Sequence, residues 1–275
     1  MSPELPKAAG ATQGLASRAW SALLDRRIPY RVQVVIDRVL PHFGMRFRRI
    51  QVGTLNVDIR RNSWDERAAR RVIGAREYTP LGSEIKTGDV VIDIGANIGA
   101  FAIAAGSMAP DVSVFAFEPD ADNWALASRN AAINGLTKVR VLRKAVSGEP
   151  GTLKLFKGAQ GSLHTTVPGR LADPAGYEEV ESVTLAQIMD EHSIERCAFL
   201  KLDCEGAEYE ILYRTPPGHL ARIDQMAVKY HAHVDKSSKS QELFRFLERS
   251  GFEILEIDDH AEGDDGLVRA RRRSS

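Results

Sequence analysis

The chain has 275 residues, 43% hydrophobic and 27% charged, and 37 Lys+Arg balance 37 Asp+Glu. These figures exclude a collagen-like, coiled-coil or wholly disordered chain and leave room for a substantial core in one or two domains. Zero net charge gives no global basic field for nucleic acid or anionic membrane. Without an apolar run of about 18 residues, no membrane span is expected.

Residues 1–15 are rich in Pro, Ala and Gly, lack the apolar stretch of a secretory signal, and read as a flexible leader. Residues 16–80 read as a helical N-terminal extension or lid: two short helices over 16–43, punctuated by Pro29 and Pro41, and another helix from Trp64 to Leu81. Between them Gly53–Ile59 alternates like a strand. From 81 to 270 the pattern changes. Val90–Ile94 is a β-branched run suited to a buried parallel strand, followed by an Ala-rich helix at Ile98–Met108. A strand at Val112–Phe117, a helix at Asp120–Asn134 and a strand at Lys138–Leu142 continue the alternation, which predicts an α/β fold with right-handed crossovers.

Residues 145–184 interrupt it, with strands at Thr152–Phe156 and Glu181–Thr184 that read as an insertion near the site. A helix at Leu185–His192, a strand at Cys197–Leu202, a helix at Ala207–Tyr213, a strand at Gln225–Tyr230 and a helix at Ser240–Ser250 follow. Phe252–Ile257 and Leu267–Ala270 form a predicted terminal hairpin. The four arginines of Arg269–Ser275 read as a solvated end, with 271–275 as a basic tail. Cys197 and Cys204 are too few for a disulfide framework or a four-cysteine zinc site, so a reducing, cytoplasmic setting is expected.

The chemistry concentrates at predicted strand ends. Val90–Phe101 is strand, tight turn and helix start; Gly95 and Gly99 let a ligand approach the backbone where a Cβ would clash. A dinucleotide fingerprint needs one more glycine, which disfavours a dehydrogenase. Asp93 at the strand end suits an ammonium rather than a pyrophosphate, so an amino-acid-bearing nucleoside such as S-adenosylmethionine fits. Glu118, after the next strand, is positioned to accept hydrogen bonds from ribose hydroxyls. Asp203 and Glu205 can face the cleft from the turn after Lys201-Leu202, whereas Glu208 can instead serve its helix dipole.

Val91–Gly99, Phe117-Glu118-Pro119 and Lys201–Glu208 together resemble the FkbM family of S-adenosylmethionine-dependent methyltransferases, over roughly residues 77–257. The resemblance implies a Rossmann-like class I methyltransferase fold: a seven-stranded, mostly parallel sheet ending in an antiparallel hairpin, with helices on both faces. It implies O-methylation of a sugar or polyketide hydroxyl, hence a hydroxylated small-molecule acceptor, in expectation glycosidic. Carried residue by residue, Asp93, Gly95, Ala96, Asn97, Gly99 and Phe101 belong to the cofactor site with Glu118 and Pro119, Ala145 lies near the adenine, and Asp203 borders it.

A hydroxyl is a poor nucleophile, so a base or a metal would help. His231, at the end of the fifth core strand, is the candidate base, with Asp203 orienting it, contacting cofactor or holding metal. Family members often have a carboxylate where this chain has Lys229. Metal-independent catalysis is preferred, because no dedicated ligand spacing exists; Asp203, Glu205 and His231 are the set a divalent ion would use. Glu205, His233, His164, Tyr78 and Trp64 are candidates for the acceptor wall, with a surface position expected for His164 and core packing for Tyr78 and Trp64. A carboxylate or amine acceptor, and a non-catalytic cofactor-binding role, are the competing readings. The N-terminal helices could equally build an oligomer interface.

Overall fold

The computed structural model describes residues 46–79, 85–158, 164–168, 171, 175–231, 236–259 and 265–273, together with positions 36 and 39. The leader at 1–15, most of the two helices read over 16–43, His233 and the final two residues lie outside the described residues.

The described chain opens with β1 (Phe47–Val52) and β2 (Leu55–Arg60), an antiparallel hairpin with Val52 opposite Leu55. Helix α1 (Asp65–Ala69) and one π-helical turn (Arg70–Gly74) follow. The strand expected at Gly53–Ile59 is present as β2, where Val57 and Ile59 alternate into a buried face, and it pairs with a further strand, β1, within the stretch read as mainly helical. Next come β3 (Val90–Ile94), α2 (Ala100–Ser107), β4 (Ser113–Phe117), α3 (Ala121–Ile133) and β5 (Val139–Leu142). The insertion holds β6 (Ala145–Val146), β7 (Gly151–Lys157), β8 (His164–Thr165) and β9 (Tyr177–Val183). The chain continues through α4 (Leu185–Glu191), β10 (Phe199–Leu202), α5 (Glu208–Arg214), α6 (Pro217–Leu220), β11 (Gln225–His231), α7 (Lys236–Arg249), β12 (Phe252–Asp259) and β13 (Asp265–Arg272).

Seven strands form the central sheet in the order β12-β13-β11-β10-β3-β4-β5. The four inner pairings from β11 to β5 are parallel, and β13 runs antiparallel to both neighbours. From β3 the chain moves outward to β4 and β5, then returns to β10 on the other side of β3. That reversal opens a crevice at the strands' carboxyl ends, where open α/β sheets take ligands.

Strand parity divides the core. Val91, Val114, Ala116 and Phe199 face α2 and the hairpin, while Ile92, Ile94, Phe115, Phe117, Leu200 and Leu202 face α4, α5 and α7. Each fully buried Val, Leu, Ile or Phe among them contributes roughly 1.5–3 kcal/mol of transfer free energy. Side chains lock the termini: Asp120 caps α3 by accepting from the Asp122 and Asn123 N–H groups, and Thr184 with Gln187 forms a capping box on α4. The hairpin is tied to α3 by Asn130, which accepts from the Asp58 N–H at 2.7 Å and donates to Ile98 O at 2.9 Å.

The basic end departs from its reading as a solvated tail. Arg269, Arg271 and Arg272 are strand residues of β13; Arg269 bonds Glu256 at 2.6 Å, and Arg272 lies 4.2 Å over the Phe252 ring. Their alternation with buried Val268 and Ala270 carries the strand through the arginine run.

Candidate active site

Backbone constraints shape the turn after β3. Gly95 has φ +76°, and a Cβ there would lie 1.9 Å from the Asp203 carbonyl oxygen. The turns after β3 and β10 thus meet where only glycine fits. The Gly95 and Ala96 N–H groups both donate to Phe117 O at 3.0 Å, lashing the turn to the end of β4. Glu118, the next residue, is 5% exposed. Its Oε2 accepts from the Asn97 N–H at 2.7 Å and its Oε1 from the Asp120 N–H at 3.0 Å. Burial pushes its carboxyl up to about 7, against the pull of those backbone bonds.

Above these turns lies a cleft open to solvent. Asn97, Glu118, Pro119 and Asn123 form one wall, and Ala145, Val146 and Leu155 an apolar one. Asp203, Cys204 and Glu205 supply the third. Among the described residues the buried Oδ1 atoms of Asn97 and Asn123 have no hydrogen-bond partner. His164 and Thr166 of the insertion also line the cleft. His164 is therefore not the surface residue expected: its Nδ1 accepts from the Gly158 N–H at 3.3 Å, and burial lowers its pKa. Thr165 donates to Glu205 O at 2.8 Å, so the insertion touches the turn after β10.

Several predicted site residues stand behind the cleft. Asp93 is fully buried, its Oδ1 3.0 Å from Lys201 Nζ, and it faces the α2 side of the sheet, outside the cleft lining. Lys201 stands opposite it on β10 and donates to Gly95 O at 2.6 Å, bracing the turn from below. Burial raises the Asp93 carboxyl, offset in part by Lys201; burial opposes the Lys201 ammonium, but Asp93 and Asp203 outweigh that and raise it. Ala96, Gly99 and Phe101 also lie outside the cleft lining. Phe101 packs edge-on against Tyr78 at 5.6 Å, and Gly99 begins α2 at φ +79°. Trp64 is 51% exposed under the Arg67 guanidinium, so it belongs neither to the core nor to the cleft wall.

A charged cluster forms the floor beside the cofactor turn. His231 is 1% exposed, with Nδ1 2.9 Å from Glu208 Oε1. Its Nε2 points between Asp203 Oδ1 at 3.7 Å and Glu205 Oε2 at 3.6 Å. Glu208 also accepts from the Cys204 N–H at 2.9 Å and the Gly206 N–H at 3.0 Å, so one carboxylate shapes the loop and aims the histidine. The other Asp203 oxygen accepts from the Tyr78 hydroxyl at 2.5 Å and lies 3.7 Å from Lys229 Nζ. Burial would raise the Asp203 carboxyl, but Lys229, Lys201 and His231 hold it well below the usual carboxylate range. Burial disfavours the His231 imidazolium, yet Glu208, then Glu205 and Asp203, raise its pKa to about 9.

Sequence reasoning missed the Glu208–His231 bond, the Tyr78–Asp203 bond and the Lys201 brace. Only the last left a signal: Asp93 and Lys201 are each the penultimate residue of adjacent core strands.

With this geometry known, comparison with other proteins carries weight. The methyltransferase FkbM domain matches residues 93–254, more than half of the chain. The chain belongs to the FkbM methyltransferase family. It is an S-adenosylmethionine-dependent methyltransferase. The 31-O-demethyl-FK506 methyltransferase FkbM of Streptomyces tacrolimicus is 29% identical over 214 residues, 68% of this chain and 81% of that protein. Methyltransferase sdnD of Sordaria araneosa is 29% identical over 194 residues, 60% of this chain and 73% of that one. A crystal structure of methyltransferase FkbM from Methylobacillus flagellatus KT has a TM-score of 0.46 and 16% identity, covering 68% of this chain and 44% of its own. Among the described residues no helix of this FkbM-family chain is long and apolar enough to cross a membrane.

Proposed function

We propose that this methyltransferase acts on a hydroxyl of a small molecule, of the sugar or secondary-metabolite class, and that His231 takes the hydroxyl proton. The observation that carries the reading is one cleft lined by the buried Glu118 carboxylate and by Asp203 and Glu205, the two carboxylates between which His231 Nε2 points. The relative whose name specifies 31-O-methylation of FK506 supports a hydroxyl acceptor.

The residues present fit S-adenosylmethionine. Glu118 offers its remaining lone pairs to the ribose hydroxyls, the unpartnered Asn97 and Asn123 oxygens offer further acceptors, and Ala145, Val146 and Leu155 give the purine a dry face. When bound, the cofactor supplies a sulfonium methyl that an oxygen lone pair displaces, the O–C bond forming as the S–C bond breaks. The protein's part is alignment and proton removal. With a pKa raised to about 9, His231 reaches the neutral form that takes a proton at Nε2 only toward alkaline pH, while Glu208 holds Nδ1. A positioned base contributes typically ~10²–10⁴-fold. Asp203 keeps the imidazole within the cluster, while Tyr78 ties the segment before β3 to the same carboxylate. That tie supports a domain over 81–270 whose acceptor side is closed by part of residues 16–80.

Calorimetric titration of S-adenosylmethionine and S-adenosylhomocysteine tests the cofactor end; a screen of glycosides and other hydroxylated compounds for methyl transfer tests the other. Micromolar binding, lost in Glu118→Ala, and methyl transfer to oxygen are expected. Binding of NAD(H) in place of S-adenosylmethionine would overturn the reading.

A further inference from the structure

We infer that His164, on the insertion strand β8, donates a hydrogen bond from Nε2 to a ring nitrogen of the cofactor's adenine. The inference rests on the cofactor end of the proposed function. The His164 side chain is 9% exposed and lines the cleft. Its Nδ1 accepts from the Gly158 N–H at 3.3 Å, which puts the proton of the neutral ring on Nε2. Burial, then Lys157 and Arg60, lower its pKa against the pull of Asp120, so the ring is neutral at neutral pH. Among the described residues this N–H has no acceptor: Asp120 Oδ2 is 3.8 Å away and lies 3.2 Å from Lys157 Nζ. A nearly buried donor in that state is costly until a partner reaches it.

Its placement directs this N–H at the purine. His164 stands opposite Lys157 in the β7–β8 pair, so it shares a face with Leu155. Leu155 forms the apolar wall with Ala145 and Val146, and all three belong to the same four-stranded sheet as His164, β6-β9-β7-β8. That sheet offers a flat base an apolar face and, at its edge, a donor. His164 also lies beside Asp120, two residues beyond Glu118, and so at the ribose end of the cleft. The pairing of donors and acceptors agrees. The Glu118 carboxylate and the Asn97 and Asn123 Oδ1 atoms accept, and the Lys144 ammonium is held by Glu181 at 2.7 Å. Ribose hydroxyls and the adenine amine can donate to those acceptors. The unsubstituted ring nitrogens of adenine only accept, and they need a donor from the wall.

β8 is held in place without a ligand. The Thr165 hydroxyl donates to Glu205 O at 2.8 Å and accepts from the Val167 N–H at 3.0 Å, so the strand bridges from Asp120 to the turn after β10. The insertion is thereby part of the cofactor site and not of the acceptor wall alone. Thr166, beyond the Thr165 anchor, is left to the acceptor side.

The test is calorimetric titration of the full chain with S-adenosylhomocysteine and its 1-deaza, 3-deaza and 7-deaza analogues, each with C–H in place of one ring nitrogen. The wild type should bind at least one analogue about tenfold more weakly than the parent. His164→Phe, which keeps a ring and removes the donor, should bind the parent about tenfold more weakly. It should lose nothing toward that analogue, because both changes delete the same hydrogen bond. His164→Gln, which keeps an N–H, should recover most of the affinity and the discrimination. Equal affinity of the wild type for all four ligands overturns the inference and needs no variant to fold. A loss of one size for all four ligands in His164→Phe marks a structural role and overturns it too. Unchanged affinity in His164→Phe with a raised KM for the acceptor returns the residue to the acceptor wall. A wild type that binds none of the four overturns both the inference and the cofactor end of the proposed function. A wild type that shows the discrimination yet methylates no hydroxyl upholds the inference and overturns the acceptor reading.

Discussion

The two ends of the cleft are built in different ways. The β3–β4 end is made of backbone: left-handed turn residues, N–H groups and one carboxylate pinned by two of them. The β10–β11 end is made of charged side chains drawn from distant positions, with Tyr78 and Asp203 125 residues apart and Glu208 and His231 23 apart. The first end is suited to hold a constant ligand in one pose. The second, whose charges compensate one another, is suited to respond to what enters. The ends touch at Gly95, whose missing Cβ leaves room for the Asp203 carbonyl.

Gly95→Ala should therefore have the largest effect of any single change. It forces a Cβ into backbone and keeps a left-handed φ, and strain of that kind costs ~1–3 kcal/mol before the clash is counted. Thermal unfolding should show a marked loss of stability, and calorimetry no cofactor binding. A variant that retains both would mean that the two turns can separate, and that the ends are independent. His231→Ala should come next. Methyl transfer should fall ~10²–10⁴-fold at unchanged S-adenosylmethionine affinity. A parallel loss of cofactor binding would show that the charged end also builds the cofactor pocket.

The same contrast explains what could be read from the chain. Strands, helices and sheet type were legible because β-branched runs and Ala-rich helices alternate locally, and Gly95, Asn97 and Glu118 were legible because a turn's needs are met by neighbours in sequence. The place of Asp93 behind the cleft could not be read without strand parity: its side of the sheet is visible only when Lys201 stands opposite. Glu208 looked like a helix-dipole residue because its partner His231 is brought to it by the crossover from β10 to β11. Trp64 and His164 exchanged places, one expected inside and the other outside, since burial on irregular segments depends on contacts that no periodicity encodes.

A smaller effect follows from Glu118. Its carboxyl is raised from 4.5 to about 7 by burial. The native state therefore holds a proton that the unfolded chain has already lost, and stability declines as pH rises from about 4.5 to about 7. Ribose hydroxyls donate to the ionised form, so cofactor binding should release this proton. Affinity should weaken about tenfold between pH 8 and pH 6, as the ionised fraction falls. Calorimetry in buffers of different ionisation enthalpy counts the proton, and Glu118→Gln should bind more weakly with a flat profile. A flat profile in the wild type would mean that the cofactor does not meet this carboxylate.

Trp64→Ala should do least. The side chain is 51% exposed, and surface substitutions away from caps and cores stay within ~0.5 kcal/mol. Its value lies in the acceptor kinetics. Tyr78 reaches Asp203 from the segment before β3, and Trp64 belongs to the same N-terminal part of the chain. If that part closes over the acceptor, Trp64→Ala raises KM for the acceptor and leaves kcat and cofactor affinity unchanged. An unaltered KM confines the acceptor to the insertion side, where His164 and Thr166 line the cleft, and makes the charged end the joint work of β10, β11 and the insertion.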